Sequence, residues 1–469
     1  MSPFGFTPPG DGSDDGSYDG SADNNGPEDF NEMLRAIQEQ MREQFEKLGI
    51  PVEGMDNMQQ MTPENLSALF SGLAGVGGFG PTGSTPADPL PINTVRETAK
   101  KFITSKGVTP LSTRDQSVVA SAYEISEIWL NEATSFPSVL SPTSVSAVNR
   151  ADWIELTISG WHRDIAPLAQ GLIEAMADLL AQASKSQEQE PDGQAHIPLE
   201  AIGGLLRGFI AAMVATQLGQ SIGTLAATVT GAHDAALPIL DPPRPVLIPE
   251  NIAAWSADLE IPQSEIYIFH ALRESAVARL FAHNPWLVSY IQSTITEYGR
   301  GIRIDLDAIQ RQAEEAMSGF DPSQPIEGQV NLSIELNNGI FSPEESPQQK
   351  AALEKLETVL ALIDGWVDDV VTTAAGDRMP NIEALRETQR RRRAASTPAQ
   401  QLFATLLGLE VSPRLTREAS AFWRTIREES QIESRDALWA GILPSADDLK
   451  DPKAFIASTA VPDDLSGLI

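Results

Sequence analysis

The chain has 469 residues, 41% of them hydrophobic, and is long enough to bury a sizeable core in one or two domains. It contains no cysteine, which excludes disulfides, cysteine-ligated zinc and cysteine nucleophiles and is typical of a reducing compartment. The formal net charge of -32 opposes general binding to nucleic-acid phosphates or anionic membranes. Because the N-terminus shows no basic segment followed by an apolar one, we expect a cytoplasmic protein.

The N-terminal region divides into three segments. Residues 1–29 are rich in acidic residues and glycine and contain no lysine or arginine, so we predict a disordered acidic tail. Apolar residues recur at helical spacing across residues 30–50, which predicts a short amphipathic helix. Residues 51–91 are rich in glycine and proline and are typical of a flexible linker. The apolar face of residues 30–48 must be covered by the main body, a second copy or a partner.

Residues 92–460 are predicted to form a mainly α domain of many helices with few or no strands. The main predicted helices cover residues 92–107, 115–132, 149–161, 164–184, 265–284, 286–299 and 349–375. In the second of them, the residues predicted to face inward are Val118, Ala122, Ile125, Ile128 and Trp129. Residues 318–348 are polar and interrupted by prolines, so a surface loop is expected there.

One stretch, from Gly208 to Ala232, contains no charged residue. Its several glutamine, serine and threonine residues dilute its apolar character, and we favour a buried core helix over a membrane span. Gly219 and Gly223 lie four residues apart and would let a neighbouring helix approach closely. The proline-rich segment that follows leaves room for a short extended piece over residues 246–248.

The most informative stretch runs from Glu265 to Leu287 and predicts a buried amphipathic helix. Within it, the sequence Arg-Glu-Ser-Ala-Val occupies residues 273–277, where a zinc peptidase would carry His-Glu-x-x-His. In that motif two histidines on one helical face hold the metal, and the glutamate activates water. Only Glu274 of the motif is present here, so spacing alone indicates no more than a core helix.

Several further segments occur in a characteristic order between residues 90 and 455. They are Asn149-Arg-Ala-Asp-Trp153, Gly219-Gln-Ser-Ile-Gly223, Leu247-Ile-Pro-Glu-Asn251, Leu272-Arg-Glu274, Phe281-Ala-His-Asn-Pro-Trp-Leu287, Asp364-Gly-Trp-Val-Asp-Asp-Val370, the arginine-rich run 386–393 and Ala399-Gln-Gln-Leu-Phe403. With them the chain resembles the zincin-like metallopeptidase type 2 family. This is a group of actinobacterial proteins described as hydrolases or zinc-dependent metalloproteases.

The resemblance implies a zincin-like fold and a metal centre whose residues can be placed one by one. The two zinc-binding histidine positions fall on Arg273 and Val277, the general-base position on Glu274, and a later acidic ligand position on Asp364. Neither replacement is a neutral nitrogen donor, and Arg273 would put a fixed positive charge where a dication sits. We therefore expect no cofactor here, although zinc is the cofactor of the family. Arg273 is predicted to pair instead with Glu274 or Asp364.

A different metal site could combine His270, Glu274 and Asp364, because the first two lie four residues apart on one helix face. His283 has the spacing of a third histidine in metzincin motifs, but Leu280 stands where those motifs have the glycine that bends the chain. We expect His283 to stay apart from the site. His270 is more simply explained as a satisfied histidine of the core or its rim.

Two clusters of charge have more than one interpretation. Asp364 and Asp368 share a helix face and could act as paired carboxylates, but together with Asp369 they more simply form a solvated acidic patch. The run Arg390 to Arg393 could suggest nucleic acid, yet no aromatic residue interleaves and the chain is strongly acidic. These arginines are expected to pair with internal carboxylates or to dock an acidic partner, such as the chain's own tail.

The favoured hypothesis is a non-catalytic protein of zincin-like ancestry that binds an unknown protein or peptide, with no nucleic-acid partner and no membrane span. One rival is an active hydrolase of the same family with an atypical site, in which Glu274 would still be required. A second rival is an interaction scaffold that works through the helix over residues 30–48, which could also self-associate.

Overall fold

The computed structural model describes residues 89–140, 146–187, 199–302, 346–395, 414–441 and 443–459. The predicted acidic tail, the helix over residues 30–50 and nearly all of the linker lie outside the described residues. So does nearly all of the loop predicted over residues 318–348.

The described part of the chain contains twelve α-helices and no β-strand, which confirms the mainly α prediction. Their bounds are α1 Ile92–Lys106, α2 Thr113–Ala133, α3 Arg150–Gln187, α4 Leu199–Thr228, α5 Pro249–Trp255, α6 Gln263–His283, α7 Pro285–Arg300, α8 Pro347–Ala375, α9 Ile382–Ala395, α10 Arg414–Glu429, α11 Ile432–Ala437 and α12 Pro452–Thr459. Short 3-10 turns follow α8 and α11 and precede α12.

The uncharged segment forms most of α4, which packs against α1. A Cβ atom on Gly219 would lie 2.6 Å from the Thr98 Cβ, and one on Gly223 would lie 2.8 Å from the Phe102 Cδ1. The two glycines therefore allow the close helix approach that their spacing predicts. Within the described ranges, no helix combines the length and apolar character that a membrane crossing requires.

Helix α3 differs from the prediction because it runs without a break through Pro167, where the sequence indicates two helices. Proline removes one backbone hydrogen bond and usually kinks or ends a helix. Here apolar residues before and after the proline are buried in the same core, as Trp161 at 0% and Leu168 at 4% exposure illustrate. Burial on both sides of the proline favours a continuous helix over a break.

The prediction for the inward face of α2 is partly wrong. Ile125 and Ile128 are 36% and 62% exposed, whereas the buried face includes Tyr123, Ser126 and Leu130. This face packs against α6, and the Ser126 hydroxyl donates a hydrogen bond to the Ala122 carbonyl. Both faces of the helix carry apolar residues, so periodicity could not fix which one is buried.

The extended segment predicted over residues 246–248 is present, but it forms isolated β-bridges and no regular strand. Leu247 forms one parallel bridge to Ala147 and one antiparallel bridge to Gly231, without a regular strand. Hydrogen bonds to both neighbours hold this arrangement, including Ile248 N to Thr230 O at 2.9 Å. The bridges fix the turn that follows α4 beside the N-terminal end of α5.

Helix α6 is the centre of the domain and packs against α2, α7, α8 and α9. Every residue from Ile266 to Phe281 is buried, so the helix is enclosed on all sides. Charged side chains in such a helix must be paired. Arg279 illustrates this, since its guanidinium donates to Glu127 Oε2 at 2.5 Å and to the Phe136 carbonyl at 3.1 Å.

Candidate functional site

Glu274 of α6 is held by His233, which lies in the turn after α4. Its Oε1 accepts a hydrogen bond from the His233 backbone N–H at 2.9 Å, and its Oε2 lies 3.0 Å from the His233 Nδ1. Both residues are buried. The neighbouring Gly231 makes this approach possible, because a Cβ there would lie 2.2 Å from Oε1. The general-base position of the motif is thus occupied by a carboxylate engaged with a histidine.

His233 was not among the predicted site residues. It belongs to Thr-Gly-Ala-His-Asp, residues 230–234, between the uncharged helix and the proline-rich segment. The only sequence signal was the pair of titratable residues that closes an otherwise uncharged stretch. The contact with Glu274 joins residues 41 positions apart, a separation that no local pattern reveals.

Arg273 points to α8, where its Nη2 lies 2.7 Å from Asp364 Oδ1. The predicted ion pair with Asp364 is therefore confirmed, and the alternative pair with Glu274 is not formed. The Asp364 carboxylate also pairs with Arg393 of α9. All three side chains are largely buried, with 11%, 13% and 14% exposure in the order Arg273, Asp364, Arg393.

Arg393 extends the cluster to Asp234, which follows His233 in the same turn. Its Nη2 lies 3.3 Å from the Asp234 carbonyl oxygen and 3.4 Å from Oδ1. The Asp234 Oδ2 accepts from the Thr230 N–H and hydroxyl at 2.9 and 3.0 Å. Burial alone would raise the pKa of Asp234, but the Arg393 charge and the Thr230 hydrogen bond outweigh it and hold the pKa below its usual value. Charges therefore alternate from Arg273 through Asp364 and Arg393 to Asp234.

These groups surround a cavity of about 20 Å³, which is enough for about one water molecule. The lining residues include His233, His270, Arg273, Glu274, Val277 and Asp364. The four positions implied by the family resemblance, Arg273, Glu274, Val277 and Asp364, therefore do meet at one place. They meet around an ion-paired guanidinium.

His270 also borders this cavity, but it is not the satisfied histidine that the sequence suggests. Its ring lies 4.6 Å from the Trp255 ring in an edge-on arrangement, and its Nε2 has no hydrogen-bond partner among the described residues. Burial lowers the pKa of His270, the charge of Asp234 opposes this, and the charges of Arg273 and Arg392 add to it, with a net pKa of about 3. The residue is a neutral core histidine at physiological pH.

The donor set does not fit zinc at either proposed site. At the family positions, Arg273 brings a permanent positive charge and Val277 brings no donor. At the alternative site, Glu274 and Asp364 are already engaged with His233 and with two arginines. Among the side chains that the structure describes, no group of three or more histidine and acidic residues is placed to hold a metal ion.

His283 lies at the C-terminal end of α6, away from the cluster. Its Nε2 lies 3.0 Å from the Pro137 carbonyl oxygen, and its ring stacks on Phe136 with 5.9 Å between centroids. The prediction that it does not converge with the other site residues is confirmed. Because position 280 is leucine and not glycine, the chain does not bend there, and α6 continues to His283.

The acidic residues Asp368 and Asp369 do not form the solvated patch that the sequence favours. Asp368 accepts from Arg386 at 2.9 and 2.7 Å and from Arg390 at 3.2 Å. Asp369 pairs with Arg427 and with Arg435, which is fully buried. Both carboxylates are neutralised by arginines, which leaves neither poised as a member of an acid–base pair.

The arginine run pairs internally, as predicted. Arg390 contacts Asp368, Arg391 contacts Glu387, and Arg393 contacts the cluster already described. Arg392 donates to the Trp255 carbonyl at 2.5 Å and lies 5.1 Å from the centroid of the Trp255 ring. The run thereby ties α9 to the residues around α6.

Fold and site together define a helical domain built around a buried helix that carries Glu274 within Arg-Glu-x-x-Val. The family model described as zincin-like metallopeptidase matches residues 92–456, and the chain therefore belongs to that family. No curated protein matches the chain.

Among solved structures, the chain is similar to a protein from Chloroflexus aurantiacus described as a "putative hydrolase with a novel fold". The match has a TM-score of 0.51 and 16% sequence identity, and it covers 79% of this chain and 98% of the other. At this level of identity the likeness shows a shared fold.

Proposed function

We propose that this protein is a non-catalytic member of its family, which acts by binding. The observation that carries the proposal is the 2.7 Å contact between Arg273 and Asp364, an ion pair between two positions for which the family resemblance implies metal ligands. Arg393 makes the pair a triad by contacting the same carboxylate. The two guanidinium groups already occupy the Asp364 carboxylate, and the fixed charge of Arg273 lies where a divalent cation would have to sit, which opposes metal binding.

The state of Glu274 supports the same proposal. A general base must reach a water or substrate proton within about 3 Å, and its carboxylate must be free to accept it. In this protein one oxygen accepts from the His233 N–H and the other faces the His233 ring. Glu274 is 5% exposed and His233 is 2% exposed, so neither offers a face to a peptide. We assign Glu274 a structural role as the anchor of the turn after α4.

The proposal is tested by peptidase assays on the full chain with and without a chelator, and on Glu274→Gln. A non-catalytic protein gives no turnover in any of these conditions. Hydrolysis that the chelator and Glu274→Gln both abolish would show an active metallopeptidase and overturn the proposal. Arg273→His combined with Val277→His is the matched comparison, because it restores both imidazoles of the motif around an unchanged Glu274.

One observation favours a second candidate, a hydrolase that uses the Glu274–His233 pair without metal. A carboxylate and the imidazole that it orients are two of the three members of a catalytic triad, and the His233 Nε2 has no partner among the described residues. For this candidate, a metal-independent hydrolysis would be lost in both His233→Ala and Glu274→Gln. The burial of His233 makes us rank it second.

A further inference from the structure

A second and larger cleft lies beside the ion-pair cluster. Its volume is about 390 Å³, within the usual range for a small-molecule site. Among the residues that the structure describes, thirteen line it, of which seven are arginines, three are acidic and none is hydrophobic. Because the whole chain carries a net charge of -32, this concentration of arginine is a local reversal of the protein's charge.

One wall of the cleft is a face of α9. Arg386, Arg390 and Arg393 follow each other at intervals of four and three residues, so they lie on the same side of the helix. Asp368 pairs with the first two, and Asp364 pairs with the third. These arginines are fixed in direction by their carboxylates, and only part of their hydrogen-bonding capacity is used.

The opposite wall is a face of α10, where Arg417, Ser420 and Arg424 share one side of the helix. Arg417 and Arg424 are exposed and form no ion pair with any described residue. Helix α10 is held at a short distance from α8, because Gly365 leaves room for the α10 backbone at Ala419. Two exposed guanidinium groups therefore face a wall that is already rich in arginine, with Glu387 of that wall as a partial counter-charge for Arg417.

We infer that this arginine cleft binds a small anion that carries phosphate groups. The described lining carries seven arginines against three carboxylates, and the charge of Glu387 reaches Arg417, so the repulsion among the arginines is offset only in part and favours an anion between the walls. A bound phosphate would accept charge-assisted hydrogen bonds from both walls at once. The inference adds a ligand to the proposed binding function. It rests on the proposed function only in treating that ligand as bound and not hydrolysed.

The shape of the site favours phosphate over other anions. A carboxylate presents its two oxygens in one plane, and at Asp368 the fork of Arg386 contacts both of them, with Arg390 adding a bond to one. The tetrahedral oxygens of a phosphate point in several directions and can accept from opposite walls. The described part of the lining has no aromatic side chain on which a base could stack, and the acidic chain repels an extended polyanion, so nucleic acid is disfavoured. These described residues also include no hydrophobic side chain to hold an apolar group of a peptide.

The test is calorimetric titration of the full chain with inorganic tripolyphosphate at low ionic strength. Binding should weaken as salt is added. It should be weaker by about tenfold or more in the double variant Arg417→Ala, Arg424→Ala, because each arginine supplies a charge-assisted hydrogen bond. Replacing both by lysine keeps the charge but removes the fork, and an intermediate affinity is expected. Arg378→Ala, which removes an exposed arginine paired with Glu132 outside the cleft, is the matched control with unchanged affinity.

Citrate and a peptide of six acidic residues serve as competing probes in the same titration. Absence of tripolyphosphate binding, equal binding by the double alanine variant, or tighter binding of citrate or the acidic peptide would each overturn the inference. The peptidase assay reports separately on the proposed function. Hydrolysis by a protein that still binds tripolyphosphate would overturn the non-catalytic proposal and leave the phosphate site standing.

Discussion

At the scale of single residues, the site depends on one carboxylate that serves two arginines. Asp364 contacts Arg273 of α6 and Arg393 of α9, and all three side chains are largely buried. A buried cation that loses its partner keeps its full desolvation cost. Loss of the Asp364 carboxylate should therefore destabilise the packing around α6 more than loss of either Arg273 or Arg393.

Replacing Asp364 by alanine should lower the free energy of unfolding by about 3 kcal/mol, because it leaves two buried guanidinium groups without their shared carboxylate. Urea denaturation measures this loss. The matched control is Glu387→Ala, which removes an exposed carboxylate paired with Arg391 on α9 and should leave the free energy of unfolding almost unchanged. Equal losses in the two variants would contradict the structural role of Asp364.

The Glu274–His233 pair predicts an effect of one added methyl group. In Gly231→Ala the new Cβ would lie 2.2 Å from Glu274 Oε1, so the carboxylate must leave His233. We expect a loss of about 2 kcal/mol, since the displaced carboxylate and the His233 N–H lose a buried hydrogen bond. Gly441→Ala is the loop control, because its nearest neighbour would lie at an ordinary 3.7 Å. Thermal unfolding of both variants should show a decrease in midpoint for Gly231→Ala alone.

At the scale of elements, helices α6, α8, α9 and α10 place the charged groups of the cluster and the cleft. Helix α8 is the common support, because it contacts α6, α9 and α10 and contributes Asp364, Asp368 and Asp369. Its glycine at position 365 sets the spacing to α10. A Cβ there would lie 2.6 Å from the Ala419 carbonyl carbon and 2.7 Å from the Ser420 nitrogen.

The variant Gly365→Ala tests this spacing, since only a movement of the α10 backbone can accommodate the methyl group. We expect a net loss of about 1–3 kcal/mol in stability from overpacking, despite the higher helix propensity of alanine. Gly208→Ala is the helical control, because its Cβ would meet nothing within 4 Å and should stabilise α4 by about 0.5–1 kcal/mol. A lower free energy of unfolding in Gly365→Ala and a higher one in Gly208→Ala, measured by urea denaturation, would support the close approach of α8 and α10. Changes of the same sign in the two variants would refute it.

Prediction from the sequence succeeded where the information is local or carried by ordered motifs. The bounds of helices such as α1, α6 and α7, the close approach at Gly219 and the Arg273–Asp364 pair follow from spacing or from family resemblance. The contacts that were not predicted join segments far apart in the sequence. Examples are His233 with Glu274 and the arginine faces of α9 and α10, which line one cleft. The inward face of α2 and the continuity of α3 through Pro167 were decided by tertiary burial, which a local pattern does not contain.

At the scale of the whole molecule, buried titratable groups make stability depend on pH. His270 has a folded pKa of about 3, below its usual 6.5, so the unfolded chain binds its proton first and stability falls as pH drops below about 6.5. Burial raises the pKa of Asp368, but its bonds to Arg386 outweigh burial and leave the pKa low. Asp234 is likewise lowered. Both aspartates contribute stability above about pH 4 that is lost as the pH falls further.

Between pH 7 and pH 5, His270 alone should cost the protein about 2 kcal/mol, since only the unfolded chain gains the proton over this range. Urea denaturation of the protein and of His270→Phe at both pH values measures this contribution. The variant keeps an aromatic ring beside Trp255 and removes the titration, so its stability should fall by about 2 kcal/mol less over the same interval. An identical fall in both proteins would show that His270 is not buried in its neutral form.

The central claim is that an ion pair replaces the metal of the zincin-like site. The most direct measurement is the zinc content of the full chain, purified without a metal-affinity tag and equilibrated with a zinc buffer. We predict far less than one zinc per chain, unchanged in Glu274→Gln, because Arg273 and Arg393 already neutralise Asp364. One equivalent of zinc per chain, lost on replacing Glu274, would contradict this claim.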